Sequence, residues 1–424
     1  MTPQITTLPN GLRIVSLQME HLETLSLGVW VATGARHETE SENGISHLLE
    51  HMAFKGTAKR SAQEIAEEIE NIGGELNAAT SLDNTAYFAR LLKGDEGVAL
   101  DILADILQNS VFDAGELARE REVILQEIAA TKDSPDDIAY DLLQEAAFPD
   151  QPVGRNILGT EKSVKSFTRE RLQNFMAKHY SPERMVVSAA GAIHHDHLVR
   201  HVEALFGGLP RGLKRDEEPS RYKGGVRAFE RRFEQSHLLL GFEGPSFHAD
   251  EFYPAQVFSG LMGGGMSSRL FQEVRERRGL CYSIYSSAWA LADTGMFAIH
   301  ASTGANMMTE LSDVVVRELE KVARSGPSNA EVNRAKAQLK AGLLMGLESS
   351  SMRAEQMARH LIVHDRLIPT EELVAGVDNV GVEDIAAFSR RLMKGPPSIV
   401  VAGSGRRSRT EARHLAQQLS GTVG

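Results

Sequence analysis

The sequence predicts an α+β protein built from two similar domains, each a mainly antiparallel sheet packed with helices. Three observations predict this. The chain has 424 residues, more than one ordinary hydrophobic core holds. Residues 207–225 (GGLPRGLKRDEEPSRYKGG) are rich in Gly, Pro and charge, the composition of a linker. The pattern of strands, helices and hairpin before that segment runs again after it. The expected division is therefore a domain at 1–207, a linker at 208–225 and a second domain at 226–424.

In the first half, residues 4–17 read as two short strands around a turn at Pro9-Asn10-Gly11. Leu25 to Thr33 is a β-rich run. A loop follows, then a mostly apolar helix around His47. Ser61 and Glu64 form a capping box that opens a helix ending at Gly73-Gly74. Residues 75–91 read as a hairpin turning near Asp83-Asn84. Residues 96–109 are an amphipathic helix, 114–131 a long charged one, and 135–146 another that opens with Pro135 and two aspartates. A helix over 166–179, a buried strand from Met185 to Ala192 and a helix over 196–206 complete this half.

The second half repeats the order. His237–Phe242 is a strand, helices are expected at 251–262 and 267–277, and 282–302 is a hairpin like 75–91. Helices follow at 307–324, 329–348, 352–363 and 382–393, with a last strand at Ser398–Ala402. The endings match: Ser181-Pro182-Glu183-Arg184-Met185-Val186-Val187 leads to Ala190-Gly191, and Pro396-Pro397-Ser398-Ile399-Val400-Val401 leads to Ala402-Gly403. A repeat of about two hundred residues is too long for a solenoid unit.

Composition bounds the partners. With 42% hydrophobic and 24% charged residues, the chain has the make-up of a globular protein. A net charge of -11 argues against nucleic acid. No apolar run reaches the length of a membrane span. A single cysteine, Cys281, excludes an intrachain disulfide and fits a reducing compartment, and no signal peptide is visible at the start. The expected location is the cytoplasm.

The chemistry concentrates in His47-Leu48-Leu49-Glu50-His51, an H-x-x-E-H string. On a helix, residues i and i+4 stand on one face, so His47 and His51 can offer two imidazoles to one metal ion. Glu50 projects close to the same ion and can take a proton from a water molecule activated there. The surrounding Leu48, Leu49, Met52 and Ala53 are apolar. Polar groups on a buried helix need partners, because leaving them unpaired costs several kcal/mol. The second half has no counterpart to this string.

A catalytic zinc takes three protein ligands and keeps one position open. In the 114–131 helix, Glu116, Glu120, Glu122 and Glu127 are available, and Glu120 and Glu127 share a face two turns apart. Residue physics does not choose among them. The stretch GISHLLEHMAFKGT, followed by EREVILQEI, resembles the inverzincin peptidases of the pitrilysin family, which includes insulin-degrading enzyme and the mitochondrial processing peptidase, and the likeness is closest to the processing-peptidase branch and its short bacterial relatives. The resemblance implies the LuxS/mitochondrial-processing-peptidase-like metallohydrolase fold and a zinc metalloendopeptidase with one zinc per chain. It implies His47, His51 and Glu127 as metal ligands, Glu50 as general base and Glu120 as the group steering the site.

The same resemblance assigns further roles. Arg275-Glu276-Arg277-Arg278-Gly279-Leu280-Cys281-Tyr282 looks like the family segment whose Arg and Tyr, here Arg275 and Tyr282, help hold the substrate carbonyl. Asn77, Ala78 and Ala79 match the edge strand that takes the substrate as an added strand. Phe54 matches a residue lining the pocket after the scissile bond, and core packing is its other explanation. Asp137 and Asp141 share one helical face and match acidic positions that receive an arginine before the cut, although Pro135, Asp136 and Asp137 also suit a helix start. Full-length relatives close four such domains around a chamber, so a two-domain chain implies a homodimer acting on peptides. His360 and His364 are also four apart but have no carboxylate between them and read as core or surface histidines, and His194, His195, His197 and His201 cluster beside Asp196 at a helix start, where a solvated cap explains them better than adventitious metal.

Overall fold

The computed structural model describes residues 2–212 and 218–421. In chain order the first part holds β1 (Gln4–Thr7), β2 (Arg13–Gln18), β3 (Thr24–Val31), α1 (Ile45–Ala53), α2 (Ala62–Asn71), β4 (Glu75–Thr80) and β5 (Thr85–Leu92). It continues with α3 (Glu96–Gln108), α4 (Ala114–Asp133), α5 (Pro135–Ala147), α6 (Glu161–Ser166), α7 (Arg169–His179), β6 (Met185–Gly191) and α8 (His195–Phe206). Then come β7 (Gly225–Gly244), α9 (Phe252–Gly263), β8 (Cys281–Ala290), β9 (Gly295–Thr303), α10 (Met308–Ser325) and α11 (Asn329–Gly346). The last elements are α12 (Ser350–His364), α13 (Thr370–Asp378), α14 (Val382–Lys394), β10 (Ser398–Ser404) and α15 (Arg407–Gly421). Among the described residues, no helix is long and apolar enough to cross a membrane.

The chain divides into two compact units. The first comprises Met1–Ile128, Asn156–Glu217 and Leu344–Leu367. Its sheet has the order β1-β2-β6-β3-β5-β4, antiparallel except for the β2–β6 pair, and leaves β4 at one edge. One face buries Leu25, Leu27, Val29, Tyr87 and Val187 against α3 and α8. The other face presents Val15, Leu17, Trp30, Val186 and Ala190, and Ala354, Met357, Ala358 and Leu361 of α12 close it. Burying such side chains stabilises by about 1.5–3 kcal/mol each for the larger ones.

The second unit comprises Ala129–Arg155, Glu218–Leu343 and Ile368–Gly424. Its sheet has the order β10-β7-β9-β8. Residues 398–402 of β10 run alongside 225–229 with both numbers rising, and alongside 241–237 with one rising and one falling. The long β7 thus flanks β10 on both sides and does the work that β2 and β3 do around β6. This repeats the first sheet's topology. Phe258, Phe297 and Phe388 anchor the core on one face. Helix α5 covers β7 and β10. It lies close enough that a Cβ at Gly241 would come within 3.0 Å of Leu143 Cδ1.

The α+β class and the twofold repeat stand as expected, and several particulars differ. The compact units depart from contiguous domains at 1–207 and 226–424, because α5 belongs to the second unit and α12 to the first. Each sheet has two apolar faces, and each second face is covered by a helix from outside its own stretch of sequence. Of the expected linker 208–225, residues 213–217 lie outside the described residues, as do 1 and 422–424 of the expected domains. The part after 217 is anchored: Arg221 N donates to Gln151 Oε1 at 2.7 Å and Lys223 N to Ala147 O at 2.8 Å. The helix expected over 166–179 starts only at Arg169, and a separate short helix that was not expected, α6, ends at Ser166 before it. Phe167 is extended and buried, and Thr168 restarts the chain by accepting from Arg171 N. The helix expected at 267–277 is a π-helical stretch, Phe271–Glu276. Helices α13 and α15 were not expected. The first buries only Leu373 and Val377, and the second is rich in Arg and Gln yet places Ala412, Leu415 and Leu419 in the core.

Candidate functional site

The centre of the first unit's chemistry is α1. Its start requires a glycine: Gly44 sits at φ +94, and a Cβ there would come 2.6 Å from Leu158 O. From that start the helix buries Ile45, Leu48, Leu49 and Met52 against Leu117, Ile124 and Ile128 of α4. The opposite face carries His47, Glu50 and His51, all half-buried. Helix periodicity makes the two imidazoles neighbours, with ring centroids 4.6 Å apart.

Helix α4 supplies the carboxylates. Glu127 Oε2 lies 3.8 Å from His47 Nε2, and Glu127 Oε1 lies 3.9 Å from His51 Nε2. One ligand atom from each of the three residues lies within 4.8 Å of the others. A tetrahedral zinc with bonds of about 2.0–2.1 Å has ligand–ligand edges of about 3.3 Å. The two edges that Glu127 makes with the histidines therefore need to close by about half an ångström around an ion. Burial first, and then the charge of His51, push the His47 imidazole down to about 4, so it stands neutral, the form that ligates.

Glu120 sits two turns earlier on the same face of α4 and meets the other side of His51. Its Oε2 accepts from His51 Nδ1 at 2.9 Å, which leaves Nε2 with a lone pair. Its Oε1 accepts from Lys55 Nζ at 2.8 Å. Burial pushes this carboxyl up, but the hydrogen bonds from Lys55 and His51 outweigh it and hold the group below the usual range. Sequence reasoning missed Lys55. Its signal was present, because 47, 51 and 55 are spaced by four.

Two more groups escaped the sequence. Tyr87 and Tyr180 are buried with hydroxyls 3.0 Å apart, and the charge of Glu50 is among the influences raising both. Burial pushes Tyr180 up to about 12, so it stays neutral. Glu38 braces the start of α1: its Oε1 accepts from Ser46 N and its Oε2 from Gly44 N, both at 2.8 Å. Burial raises the Glu38 carboxyl to about 7 against the lowering effect of those N–H groups. The folded value exceeds the unfolded one of 4.5, so this group's contribution to stability is fully present below about pH 4.5 and is lost as pH rises through about 7. The stability of the native protein minus that of Glu38→Gln should therefore fall between pH 5 and pH 8, by on the order of 3 kcal/mol in all. Denaturant titrations at each pH measure it, and a difference that rises with pH contradicts the assignment.

The remaining expected residues take these places. Asn77, Ala78 and Ala79 lie on β4, the sheet edge packed beside α1. Asn77 Oδ1 accepts from the N–H of Ala78 at 2.8 Å. Phe54 ends α1 and packs on the core of the first sheet. In the second unit, the Arg275 guanidinium lies 5.2 Å from the ring centre of Tyr282, which is 75% exposed. Asp137 is exposed at the start of α5 and Asp141 is half-buried one turn on. Of the other histidines, His195 bonds Thr6 and Ser16 through its two ring nitrogens, a structural role. The ring centroids of His360 and His364 are 6.1 Å apart.

Comparisons with known proteins place the chain in a family. Residues 13–161 match the family described as Insulinase (Peptidase family M16), and 166–339 match the Peptidase M16 inactive domain. A protein named "Uncharacterized zinc protease" from Rickettsia felis is 38% identical over 94% of this chain and 97% of its own length. The protein named "Uncharacterized zinc protease YmxG" of Bacillus subtilis is 38% identical over 91% of this chain and 94% of its own length. The protein named "Uncharacterized zinc protease Rv2782c" of Mycobacterium tuberculosis is 39% identical over 100% of this chain and 97% of its own length. Among solved structures, a protease from Helicobacter pylori superposes with a TM-score of 0.88 at 24% identity, covering 95% of this chain and 99% of that one. With relatives of this identity spanning almost its whole length, the chain belongs to the M16 family of zinc peptidases, as a short member of the bacterial type.

Proposed function

We propose that this chain is a zinc metalloendopeptidase that hydrolyses peptides or unfolded segments, with its catalytic centre on α1 and α4. The observation that carries the reading is the convergence of His47, His51 and Glu127, with Glu50 on the same turn of α1. Zinc held there supplies a Lewis acid that polarises a carbonyl and acidifies water. Glu50 accepts the water's proton and later delivers it to the leaving amine. Glu120, held by Lys55, keeps the proton of His51 on Nδ1 and so fixes the ring. The free edge of β4 offers backbone groups to an extended substrate through Asn77, Ala78 and Ala79, and Phe54 lines the pocket after the scissile bond. Arg275 and Tyr282 steady the substrate carbonyl. The chain works as a homodimer in the cytoplasm.

The rival reading is a non-catalytic subunit, favoured by the inactive-domain match. That match begins at residue 166, beyond all four residues of the proposed centre. A mixed pool of unstructured peptides separates the two readings. Cleavage that stops with a chelator and returns with zinc is expected, and a zinc-loaded protein that cuts nothing in the pool establishes the subunit reading. Within that pool, peptides with Arg two residues before the cut should be cleaved faster than their Ala versions, through Asp137 and Asp141. The gap should narrow at high salt, where screening grows, and close in Asp137→Asn/Asp141→Asn. Equal rates on the unmodified protein end the specificity proposal alone.

A further inference from the structure

The second unit carries a cluster that the peptidase chemistry does not use. His237 on β7 and His300 on β9 are diagonal neighbours across the strand pair, since Leu239 stands opposite His300 and His237 opposite Ser302. Alternation puts both imidazoles on one face of the sheet, the face that α5 covers. Asp136, in the first turn of α5, reaches down to both. Its Oδ1 lies 2.9 Å from His237 Nδ1 and 3.0 Å from His300 Nε2, and the two nitrogens are 3.1 Å apart. Both histidines are 3% exposed, whereas the Asp136 side chain is 56% exposed.

Hydrogen bonds alone serve this triangle poorly. If both rings aim an N–H at the shared oxygen, two donors face each other at 3.1 Å. If one ring accepts from the other, its lone pair faces the carboxylate at about 3 Å. Two protons cannot satisfy three edges. A cation can, because all three atoms then present lone pairs to it. The edges of 2.9–3.1 Å are close to the roughly 3.3 Å of a tetrahedral zinc site, and tighter than those of the His47 centre. Burial pushes His300 down to about 4 and His237 below its usual value, so both rings are neutral. The rings of Tyr285 and Tyr140 pack beside His300, with centroids 4.9 and 5.8 Å away. They wall one side, and exposed Asp136 leaves an entry for the ion.

We propose that Asp136, His237 and His300 form a second metal site, binding one divalent ion of the zinc class and pinning the first turn of α5 to β7 and β9. Two imidazoles and one carboxylate suit zinc, cobalt or nickel, not magnesium or calcium. The site stands independently of the peptidase reading, since it shares no residue with that centre.

Metal counting on the full-length chain tests it. After loading with zinc and gel filtration, elemental analysis should find about two ions per chain in the native protein. It should find one in Glu127→Gln, one in Asp136→Asn and none in the combined variant. Asp136 is exposed and the Asn replacement keeps its shape, so folding is not at stake. Cobalt loaded into Glu127→Gln gives a second readout, a tetrahedral visible band that Asp136→Asn removes. One ion in the native protein and none in Glu127→Gln overturns the proposal, as does a stoichiometry or cobalt band that Asp136→Asn leaves unchanged.

Discussion

Glu50→Gln is expected to keep the ion at α1 and to lose about 10²–10⁴-fold in kcat. The amide has the size of the carboxylate, so α1 keeps its packing against α4 through Ile45, Leu48, Leu49 and Met52. It cannot take up a proton. The loss corresponds to about 2.7–5.5 kcal/mol of transition-state stabilisation. KM should move little, because in the proposed mechanism the β4 edge, and not Glu50, holds the substrate. Paired measurements of kcat and of metal content check this. Near-full turnover by a metal-loaded Glu50→Gln protein rules out Glu50 as the base.

Glu127→Gln is expected to release the ion of the same centre, and activity with it. Glu127 brings the one carboxylate to a set otherwise made of two imidazoles, and an amide is a far weaker ligand for zinc. Glu120→Gln tests the neighbouring carboxylate. It leaves the three donors in place but weakens the hold on His51 and Lys55, so metal affinity should fall by about 10–100-fold and not vanish. Zinc titration of the three proteins gives the order native, Glu120→Gln, Glu127→Gln. The reverse order for the two variants exchanges the roles of the two glutamates.

The fold was legible wherever the signal was local. The capping box at Ser61 and Glu64 opens α2 as expected, and the Asp83-Asn84 turn joins β4 to β5. Helix α15 went unread although its buried Ala412, Leu415 and Leu419 keep the spacing of one helical face, because two of the apolar positions on that face, 412 and 416, are only alanines and the rest of the segment is polar. The break between α6 and α7 was hidden as well. Phe167 looks like one more apolar position of a continuous helix, and only its burial in the core beside α1 and α4 shows why the chain turns there.

By itself the sequence determined the pairing of His47 with His51, because residues four apart on a helix are neighbours whatever surrounds them. It determined that Glu120 and Glu127 share a face, for the same reason. Only the tertiary structure decided which side of His51 each glutamate meets, since that depends on how α4 lies against α1. Only the tertiary structure sent α12 to the first sheet and α5 to the second: each sheet's second apolar face must be closed, and local sequence does not say by which helix. The same packing brings Asp136 to His237 and His300, residues on three elements far apart in the chain. No periodicity links them; a shared sheet face and the helix laid over it do.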